Sequence, residues 1–418
     1  MWPPLPCKPT YSKIHKGRLP QRGGPSIGRL GSFVNKTLLG KRALMCAASF
    51  LFWFSQYIYN PFLSPYLLGL GISATFAGTI IGAYGFTQLV ARFPLGISAD
   101  CLQKHRIFIL LGMLFSGLAS VIRFFFPQPV PMLLANLLSG IASSMWISFT
   151  ILFSRYYPPE ELSKSIGLLT AMNNAGTLAA YLLGGVLYEP FGMKSLFLGS
   201  ALSGGLGLVI ALFVKDEPPQ GDRPQPRALV RSTLRDKRLW LFSIAALLYH
   251  MILFATANSF TSNIVKELGA SGVEISACSA LFMAASMIAA WFVGTKPAQA
   301  LGERPMMCVC FCLLGLYALV LPRLDSLPLI MVVQFLGGLG GSSLISLLMS
   351  NAVRNIPGVA RSTGMGFFQS VYALGIMLGP VWMGAMADRI GFVAGYAIVG
   401  VLSLACAAGL YLLTRKEA

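Results

Sequence analysis

The sequence predicts an all-α membrane protein with twelve transmembrane helices in two pseudo-symmetric six-helix bundles. Composition is the first observation, because 55% of the 418 residues are hydrophobic and only 11% are charged. Soluble domains carry roughly twice that charged fraction. The second observation is that apolar runs near the roughly 20 residues of a membrane-crossing helix recur from residue 43 to residue 413. The third is an internal repeat.

The repeat consists of matching residues at a nearly constant spacing. Asn60 and Asn258 are 198 positions apart, and Gly96 and Gly294 keep the same spacing. Further matches at 198 or 199 positions are Arg106 with Arg304, Arg155 with Arg354, Pro158 with Pro357, Ser163 with Ser362, Gly176 with Gly375, Gly185 with Gly384, Glu189 with Asp388 and Gly192 with Gly391. Two like halves of apolar spans are typical of secondary transporters, whose binding site lies between the halves.

Twelve apolar spans account for the hydrophobic part of the chain. They cover residues 43–68, 74–97, 106–126, 130–154, 165–188, 194–214, 239–264, 275–295, 305–321, 328–352, 363–385 and 392–413. The runs are continuous rather than alternating, which favours helices and excludes a membrane barrel. The seventh span is unusually polar, and we expect it to line a water-filled cavity.

The spans divide the chain into five segments. Residues 1–42 are rich in proline, glycine and basic residues and have no acid, which predicts a disordered tail. Residues 43–214 and 239–413 form the two bundles. Residues 215–238 are a proline-rich linker, expected to be partly helical near 227–238, and residues 414–418 are a short C-terminal tail.

The net charge of +18 reports topology rather than a nucleic-acid partner. By our count, the two tails and one set of alternate loops hold 26 of the 32 Lys and Arg residues, and the opposite side holds five, including Arg123. The positive-inside rule therefore predicts a multi-pass protein of the cell membrane with both termini in the cytoplasm. The remaining basic residue, Arg92, lies inside a span, where its charge is expected to reach the cytoplasmic surface by snorkelling.

Neither an enzyme nor a metal site is expected. The Cys308, Cys310 and Cys312 run has no histidine or carboxylate beside it, so we interpret it as packing. No convergent acid, base and nucleophile lies at membrane depth, which argues against intramembrane catalysis, and no cofactor is predicted. A non-transporting membrane sensor is the alternative from another class, but it would usually add a folded soluble domain.

A cytoplasmic motif resembles the signature of the major facilitator superfamily. Gly96 is followed four residues later by Asp100 and then by Lys104, His105 and Arg106. Cys101 and Gln103 stand where the family usually has a basic residue and a second glycine. The resemblance covers nearly the whole chain, because twelve spans, a 6+6 repeat and a long central loop all fit it.

The resemblance implies a cytoplasmic latch. In it, Asp100 would face the start of span eleven and Arg155 at the end of span four. These contacts, with Gly96, Lys104 and Arg106, would hold the outward-facing state. The alternative is a loop salt bridge of about 0–1 kcal/mol without a gating role.

Two departures separate the chain from the proton-coupled exporters of that family. Those exporters usually carry an arginine early in span four, where this chain has Asn136 before Gly140. Their Gly-Pro in span five is absent, although Gly379-Pro380 occupies the matching place in span eleven. Gly78 with Gly82, and Gly375 with Gly379, have the spacing of closely packed helices.

Polar residues at mid-depth are the candidates for substrate binding, because the resemblance implies a cavity lined mainly by spans one, four, seven and ten. They are Gln56, Tyr57, Asn60, Asn136, Trp146, Asn173, Asn174, His250, Asn258, Gln334, Gln369 and Tyr372. The alternative for each is an interhelical hydrogen bond of about 0.6 kcal/mol. The set is neutral and rich in amides and aromatic rings, and we expect no buried Arg or Lys at mid-membrane. It therefore suits an amphipathic or weakly charged solute.

The sequence offers few groups that could couple transport to an energy source. All 14 acidic residues fall in loops, tails or span ends, which leaves His250 as the proton-coupling candidate. We expect a monomeric transporter that exports an amphipathic or drug-like small molecule across the bilayer, with protons as a candidate coupling ion. Uptake or facilitated diffusion of a neutral solute is the alternative.

Overall fold

The computed structural model is helical, and no strand occurs among the residues that it describes. Those residues are 27–102, 104–158, 161–217, 230–231, 233–293, 295, 300–356 and 360–414, without the side chains of 27–38, 100, 162–163, 361–362 and 414. In chain order the helices of the first half are α1 (Ile27–Tyr57), α2 (Asn60–Gly69), α3 (Ala74–Leu102), α4 (Arg106–Phe125), α5 (Pro129–Ser144), α6 (Trp146–Arg155) and α7 (Leu162–Leu212). Those of the second half are α8 (Lys237–Ala255), α9 (Thr261–Glu267), α10 (Gly272–Val293), α11 (Glu303–Val320), α12 (Leu327–Leu339), α13 (Gly341–Ala352), α14 (Arg361–Ile390) and α15 (Phe392–Thr414), with a 3₁₀ turn at Leu321–Arg323.

Nine helical runs in the described part of the chain are long and apolar enough to cross a membrane. Two of them, residues 164–212 and 363–413, extend over 49 and 51 residues, about twice the length that one crossing requires. Gly192 and Gly391 interrupt these two runs with φ values of 67° and 83°, a backbone region that favours glycine. The fold is that of a membrane bundle, while the count of twelve spans stays a prediction.

The ends of the predicted segments differ in places from the structure. α1 begins at Ile27, inside the tail that we expected to be disordered, and no proline follows Pro25 until Pro61. Residues 27–40 belong to a compact unit separate from residues 41–418, and only their helical conformation is described. Predictions for residues 1–26, 218–229 and 415–418 lie outside the described residues.

The second half begins with a capped helix. The Asp236 carboxylate accepts hydrogen bonds from the backbone N–H groups of Arg238 (2.8 Å) and Leu239 (3.1 Å) at the start of α8. Such a cap satisfies N–H groups that have no partner within the helix. The first two residues of α8, Lys237 and Arg238, therefore belong to the segment predicted as linker (215–238).

The two halves pack together along α3 with α14 and along α7 with α10. On α3 the contact is backbone to backbone. A methyl group added at Gly78 would lie 2.1 Å from the Pro380 carbonyl oxygen, and one at Gly82 would lie 2.5 Å from that of Met377. The close packing expected from the spacing of these glycines is therefore present, and it lies between the halves.

The second glycine pair packs within one half. Methyl groups added at Gly375 and Gly379 would lie 2.1 Å and 2.5 Å from the carbonyl oxygens of Leu247 and Met251 on α8. Gly176 on α7, the repeat partner of Gly375, approaches the α1 backbone in the same way. Each half therefore closes with the same small-residue contact between its first and fifth predicted spans.

Candidate functional site

Helix breaks mark the centre of the molecule at symmetric places. Predicted span one is interrupted after Tyr57 and resumes at Asn60. Predicted span seven ends at Ala255 and resumes at Thr261, and Asn258 lies in the gap. The matched amides of the repeat thus sit at matched interruptions. Broken helices expose backbone and polar groups at mid-membrane, which is how transporters build binding sites.

Predicted spans four and ten are each divided by one turn residue, which was not foreseen from the sequence, although each remains one helical run long enough to cross a membrane. The break in the first half falls at Met145, between α5 and α6. The break in the second half falls at Gly340, between α12 and α13, where an added methyl group would lie 2.6 Å from the Cys310 carbonyl oxygen. The four interrupted spans are those that the family resemblance assigned to the cavity.

A cavity of about 290 Å³ lies between the halves. Of the predicted binding residues it brings together Tyr57, Asn60, Asn173, Asn174, His250, Asn258 and Tyr372. Its other polar and aromatic lining includes Trp53, Thr177, Tyr181, Tyr249, Ser262, Ser279, Phe282, Ser286 and Ser342. No acidic side chain of the described residues lines it. Rings and neutral polar groups therefore form its walls.

A smaller pocket of about 30 Å³ adjoins the cavity. Tyr57 and Asn60 line both spaces, and Gln56 and Asn136 line the small one together with Tyr84. A volume of that size accommodates about one water-sized group. Two further predicted residues, Gln56 and Asn136, are thus brought to the same centre.

The remaining predicted residues lie behind the cavity wall. The Trp146 ring packs 5.2 Å from the Trp53 ring, which itself lines the cavity. Gln334 and Gln369 are buried at 2% and 8% exposure but line neither space. Their placement fits helix packing better than direct contact with a solute.

The His250 ring stacks on the Tyr372 ring, with centroids 4.0 Å apart and planes within 6°. Its Nδ1 lies 2.9 Å from the Ala246 carbonyl oxygen, one turn earlier on α8. The Tyr372 hydroxyl accepts a hydrogen bond from the Arg92 guanidinium. A buried cation therefore stands directly behind the ring pair that forms this part of the wall.

The expectation that Arg92 reaches the cytoplasmic surface is wrong. Arg92 is only 5% exposed, and its guanidinium carbon lies 5.1 Å from the centre of the Tyr372 ring on the other half. Its Nε has no hydrogen-bond partner among the described residues. The helix rotation that turns Gly78 and Gly82 toward α14 also turns this side chain inward.

Arg123 is the buried cation that sequence reasoning missed. We counted it with the outer charges, but its side chain is fully buried. Nη2 donates to Asn136 Oδ1 (2.5 Å) and to Ser139 Oγ (2.8 Å), and the guanidinium lies 4.4 Å from the Tyr59 ring centre. Arg123 is therefore buried rather than exposed in an outer loop, and it contacts Asn136, the amide that stands where the exporters carry an arginine in span four. The expectation that no basic residue is buried at mid-membrane stays a prediction.

The cytoplasmic motif lies where α3 meets α14. A methyl group added at Gly366 of α14 would lie 3.3 Å from the Gly96 Cα. Lys104 is exposed, and the Arg106 guanidinium donates to the Leu212 carbonyl oxygen (2.7 Å). The Asp100 side chain is outside the described residues, so its predicted contact with Arg155 and α14 stays a prediction.

His105 and Asp216 close the start of α4 beside this motif. Asp216 Oδ1 accepts from the backbone N–H groups of His105 and Arg106, both at 2.9 Å. The His105 side chain is fully buried, and neither ring nitrogen has a hydrogen-bond partner among the described residues. Burial, followed by the Arg155 charge, lowers the pKa of His105 to about 4, although Asp216 acts in the opposite direction.

The side predicted to face outward is held by matched carboxylates. Asp388 at the end of α14 accepts from the backbone N–H groups of Ala74 (2.9 Å) and Thr75 (2.8 Å) at the start of α3. Its repeat partner Glu189 accepts from the Gly272 N–H (2.7 Å) at the start of α10. Each carboxylate caps a helix of the opposite half, where the helix dipole is positive.

Fold and cavity together define a two-bundle membrane transporter. The sequence matches the Major Facilitator Superfamily over residues 45–295 and 242–418, and the chain belongs to that family. The two matched ranges cover both halves of the repeat. The expected family is therefore confirmed.

Relatives and solved structures agree with this assignment. The multi-drug resistance efflux pump PmrA of Streptococcus pneumoniae serotype 4 is 24% identical over 365 residues, covering 81% of this chain and 89% of the pump. The MFS-type transporter ppzB of Metarhizium rileyi is 28% identical over 155 residues, and the match spans 37% of this chain and about a third (32%) of that protein. The crystal structure of the human organic anion transporter MFSD10 superposes with a TM-score of 0.67 at 17% identity, covering 89% of this chain and 99% of that one. This likeness shows the fold.

Proposed function

We propose that this chain is a secondary active transporter that works by alternating access and exports an amphipathic small molecule. The observation that carries the proposal is the cavity of about 290 Å³, which both halves wall and which lies at the breaks of the polar spans. A site between two rocking bundles can be exposed to one side of the membrane at a time.

The lining supports an amphipathic solute. Rings such as Trp53, Tyr181 and Phe282 offer apolar surface, while Asn60 and Asn258 offer amide donors and acceptors from the two halves. Pockets of this composition bind molecules that have a ring or chain and a few polar groups. PmrA, named an efflux pump, favours export over import at the level of distant similarity.

Uptake or facilitated diffusion of a neutral solute is the second candidate. The observation in its favour is the matched pair Asn60 and Asn258, which could hold one polar solute from both sides. A site that recognises one solute through buried hydrogen bonds rejects analogues strongly. Replacing either amide by alanine should then abolish transport, whereas export of varied amphipathic molecules should survive both changes.

We further propose where the protein resides, how it is gated and which group couples it to protons. The protein resides in the cell membrane with both termini in the cytoplasm, and it acts as a monomer. Gly96, Asp100, Lys104, Arg106 and Arg155 form the cytoplasmic latch, and His250 is the group through which protons would couple to transport.

The test measures dye export from cells that lack their own efflux pumps. Two dyes are used, a fluorescent lipophilic cation and an amphipathic fluorescent acid released inside the cell from a neutral ester. Wild type should lower the retention of at least one dye. Ser279→Trp fills the cavity and should abolish the lower dye retention. Leu202→Trp changes a residue of α7 that is 65% exposed and should preserve the lower retention.

Equal retention of both dyes with and without the wild-type protein would contradict export of amphipathic molecules, provided that surface labelling finds the protein in the membrane. A protonophore added to wild-type cells separates the energy source. Loss of export would support proton coupling, and unchanged export would point to a carrier driven by the substrate gradient.

A further inference from the structure

Two buried guanidinium groups flank the central cavity, and neither has a carboxylate partner among the side chains that the structure describes. Arg123 contacts Asn136, Ser139 and the Tyr59 ring. Its Nε and Nη1 have no hydrogen-bond partner among the described residues. No Asp or Glu is buried in the described part of the chain. A buried charge without an opposite charge is unfavourable unless something else neutralises it.

The neighbours of Arg123 form the wall of the small pocket. Tyr59 and Asn136, which contact the guanidinium, both line the pocket of about 30 Å³. Gln56, Tyr84 and Asn60 complete its polar side, and Asn60 also lines the large cavity. The pocket is thus a polar recess of the cavity, one residue away from a fully buried cation.

The second guanidinium lies behind Tyr372, another residue of the cavity wall. Arg92 donates to the Tyr372 hydroxyl, so the proton of that hydroxyl is free to donate in turn. A hydroxyl that accepts a bond from a cation is polarised and becomes a better donor. The Tyr372 ring stacks on His250, and both rings line the cavity. Each of the two buried guanidinium groups therefore contacts a residue that lines the cavity or the small pocket beside it.

We propose that the cavity is an anion site, and that the transported molecule is an amphipathic organic anion whose acidic group lies in the cavity with one oxygen in the recess beside Arg123. The proposal rests on the proposed transport function and specifies its substrate class. Charges buried in a low-dielectric wall create a positive potential in the cavity, because water screens them weakly there. The rings of the larger space would hold the apolar part of the molecule.

The first measurement tests the sign of the electrostatic potential inside the cavity. Ser279 lines the cavity, and Ser279→Cys places a thiol there in the full-length purified protein. Its reaction rates with an anionic and a cationic methanethiosulfonate reagent are compared, each divided by its rate with glutathione. The parent chain without the new cysteine gives the background from native thiols. We expect the corrected rate to favour the anionic reagent.

Removing a charge should reduce that preference. Arg123→Gln and Arg92→Gln should each lower the anion-to-cation rate ratio by about threefold to tenfold, as expected for one charge in a weakly screened site. Arg123→Lys keeps the charge and should keep the ratio. Arg323→Gln removes an exposed arginine and is the matched control, which should change nothing. Because there are two separate glutamine variants, one of them still tests the proposal if the other fails to fold.

A corrected ratio that favours the cationic reagent, or that neither glutamine variant changes, would overturn the proposal. A Ser279→Cys thiol that reacts with neither reagent would also overturn the proposal, because the proposal requires a cavity that is filled with solvent and open to anions. Transport in proteoliposomes separates the two levels of inference. Transport of a coumarin carboxylate in preference to its carboxamide supports the anion site. Transport of a lipophilic cation alone overturns it but leaves the transporter function standing.

Discussion

Single residues decide where charge and polarity enter the bilayer. Asn60 and Asn258 could be selected from the sequence because the repeat pairs them, and both line the cavity. Arg123 could not be selected from the sequence as a buried residue, because it lies at the end of an apolar run, where the charge of a loop would also lie. Its inward direction depends on helix rotation and on Asn136, 13 positions later. The one available signal was that Phe124, Phe125 and Phe126 leave it without polar neighbours in sequence.

His105 makes stability depend on pH. Its pKa in the folded protein is about 4, below the usual value of 6.5, so the unfolded chain binds the proton first as pH falls. Stability should therefore decline between about pH 6.5 and pH 4. The measurement is the melting temperature of the purified protein in detergent at several pH values. His105→Phe, which cannot take up a proton, should flatten this dependence, and an unchanged slope would refute the assignment.

His250 allows a separate test of energy coupling. In His250→Gln the side chain can still form hydrogen bonds but cannot carry a proton at neutral pH. We expect export to lose its acceleration by an inward proton gradient, while exchange of substrate across proteoliposomes without a gradient continues at half or more of the wild-type rate. Gln334→Glu is not a suitable control because it adds a buried acid. Ser342→Ala, another cavity residue without a titrating group, should retain the gradient effect.

Helices and their ends set how the two halves meet. The small-residue spacing of Gly78 and Gly82 predicted close packing, but the sequence could not say which helix would pack against them. The break at Met145 was not foreseen either, because no proline or glycine marks it.

The carboxylate caps should hold the outer side closed. Asp388→Asn keeps an acceptor for the N–H groups of α3 but removes the charge that interacts with the helix dipole. We expect the outward-open population to rise about twofold to fivefold, measured as the rate at which Ser64→Cys reacts with a membrane-impermeant thiol reagent added outside. Asp325→Asn, an exposed acid, should have no effect. An unaltered rate in Asp388→Asn would show that the cap does not contribute to closure.

The cytoplasmic latch should act in the opposite direction. Asp100→Asn removes the charge that the latch needs at the meeting of α3 and α14, near Gly96 and Gly366. Because the latch would favour the outward-facing state, we expect the substitution to slow export while leaving substrate binding within about twofold. Export and equilibrium binding of the same dye are compared in the two proteins. Equal loss of both would place Asp100 in the binding site or in folding instead.

At the scale of the whole molecule, contacts between the halves also close the side predicted to face outward. Asn263 of α9 donates to Ser64 Oγ of α2, a direct contact between the halves at the ends of the broken spans. The composition and the repeat were enough to predict the two-bundle fold. They could not predict which contacts between the bundles are closed, because alternating conformations share one sequence and differ little in free energy.

A cross-link across this contact should stop transport. The pair Ser64→Cys with Asn263→Cys places two thiols where side chains already touch, and oxidation should join them. We expect export to fall to background after oxidation and to recover after reduction. Each single substitution should be unaffected by the same oxidant. Full export by the cross-linked protein would rule out rocking of the halves about the central cavity.

The buried arginines also place charge inside the thickness of the membrane. A full charge that crosses the membrane potential gains or loses about 2.3 kcal/mol per 100 mV, and a partial crossing changes the energy in proportion. When the empty carrier changes conformation, the positive charges of Arg92 and Arg123 would move through part of the membrane potential. An anion bound beside them would offset part of that charge. Voltage should then act mainly on the return of the empty protein, so the slow step of the cycle would change as the membrane polarises.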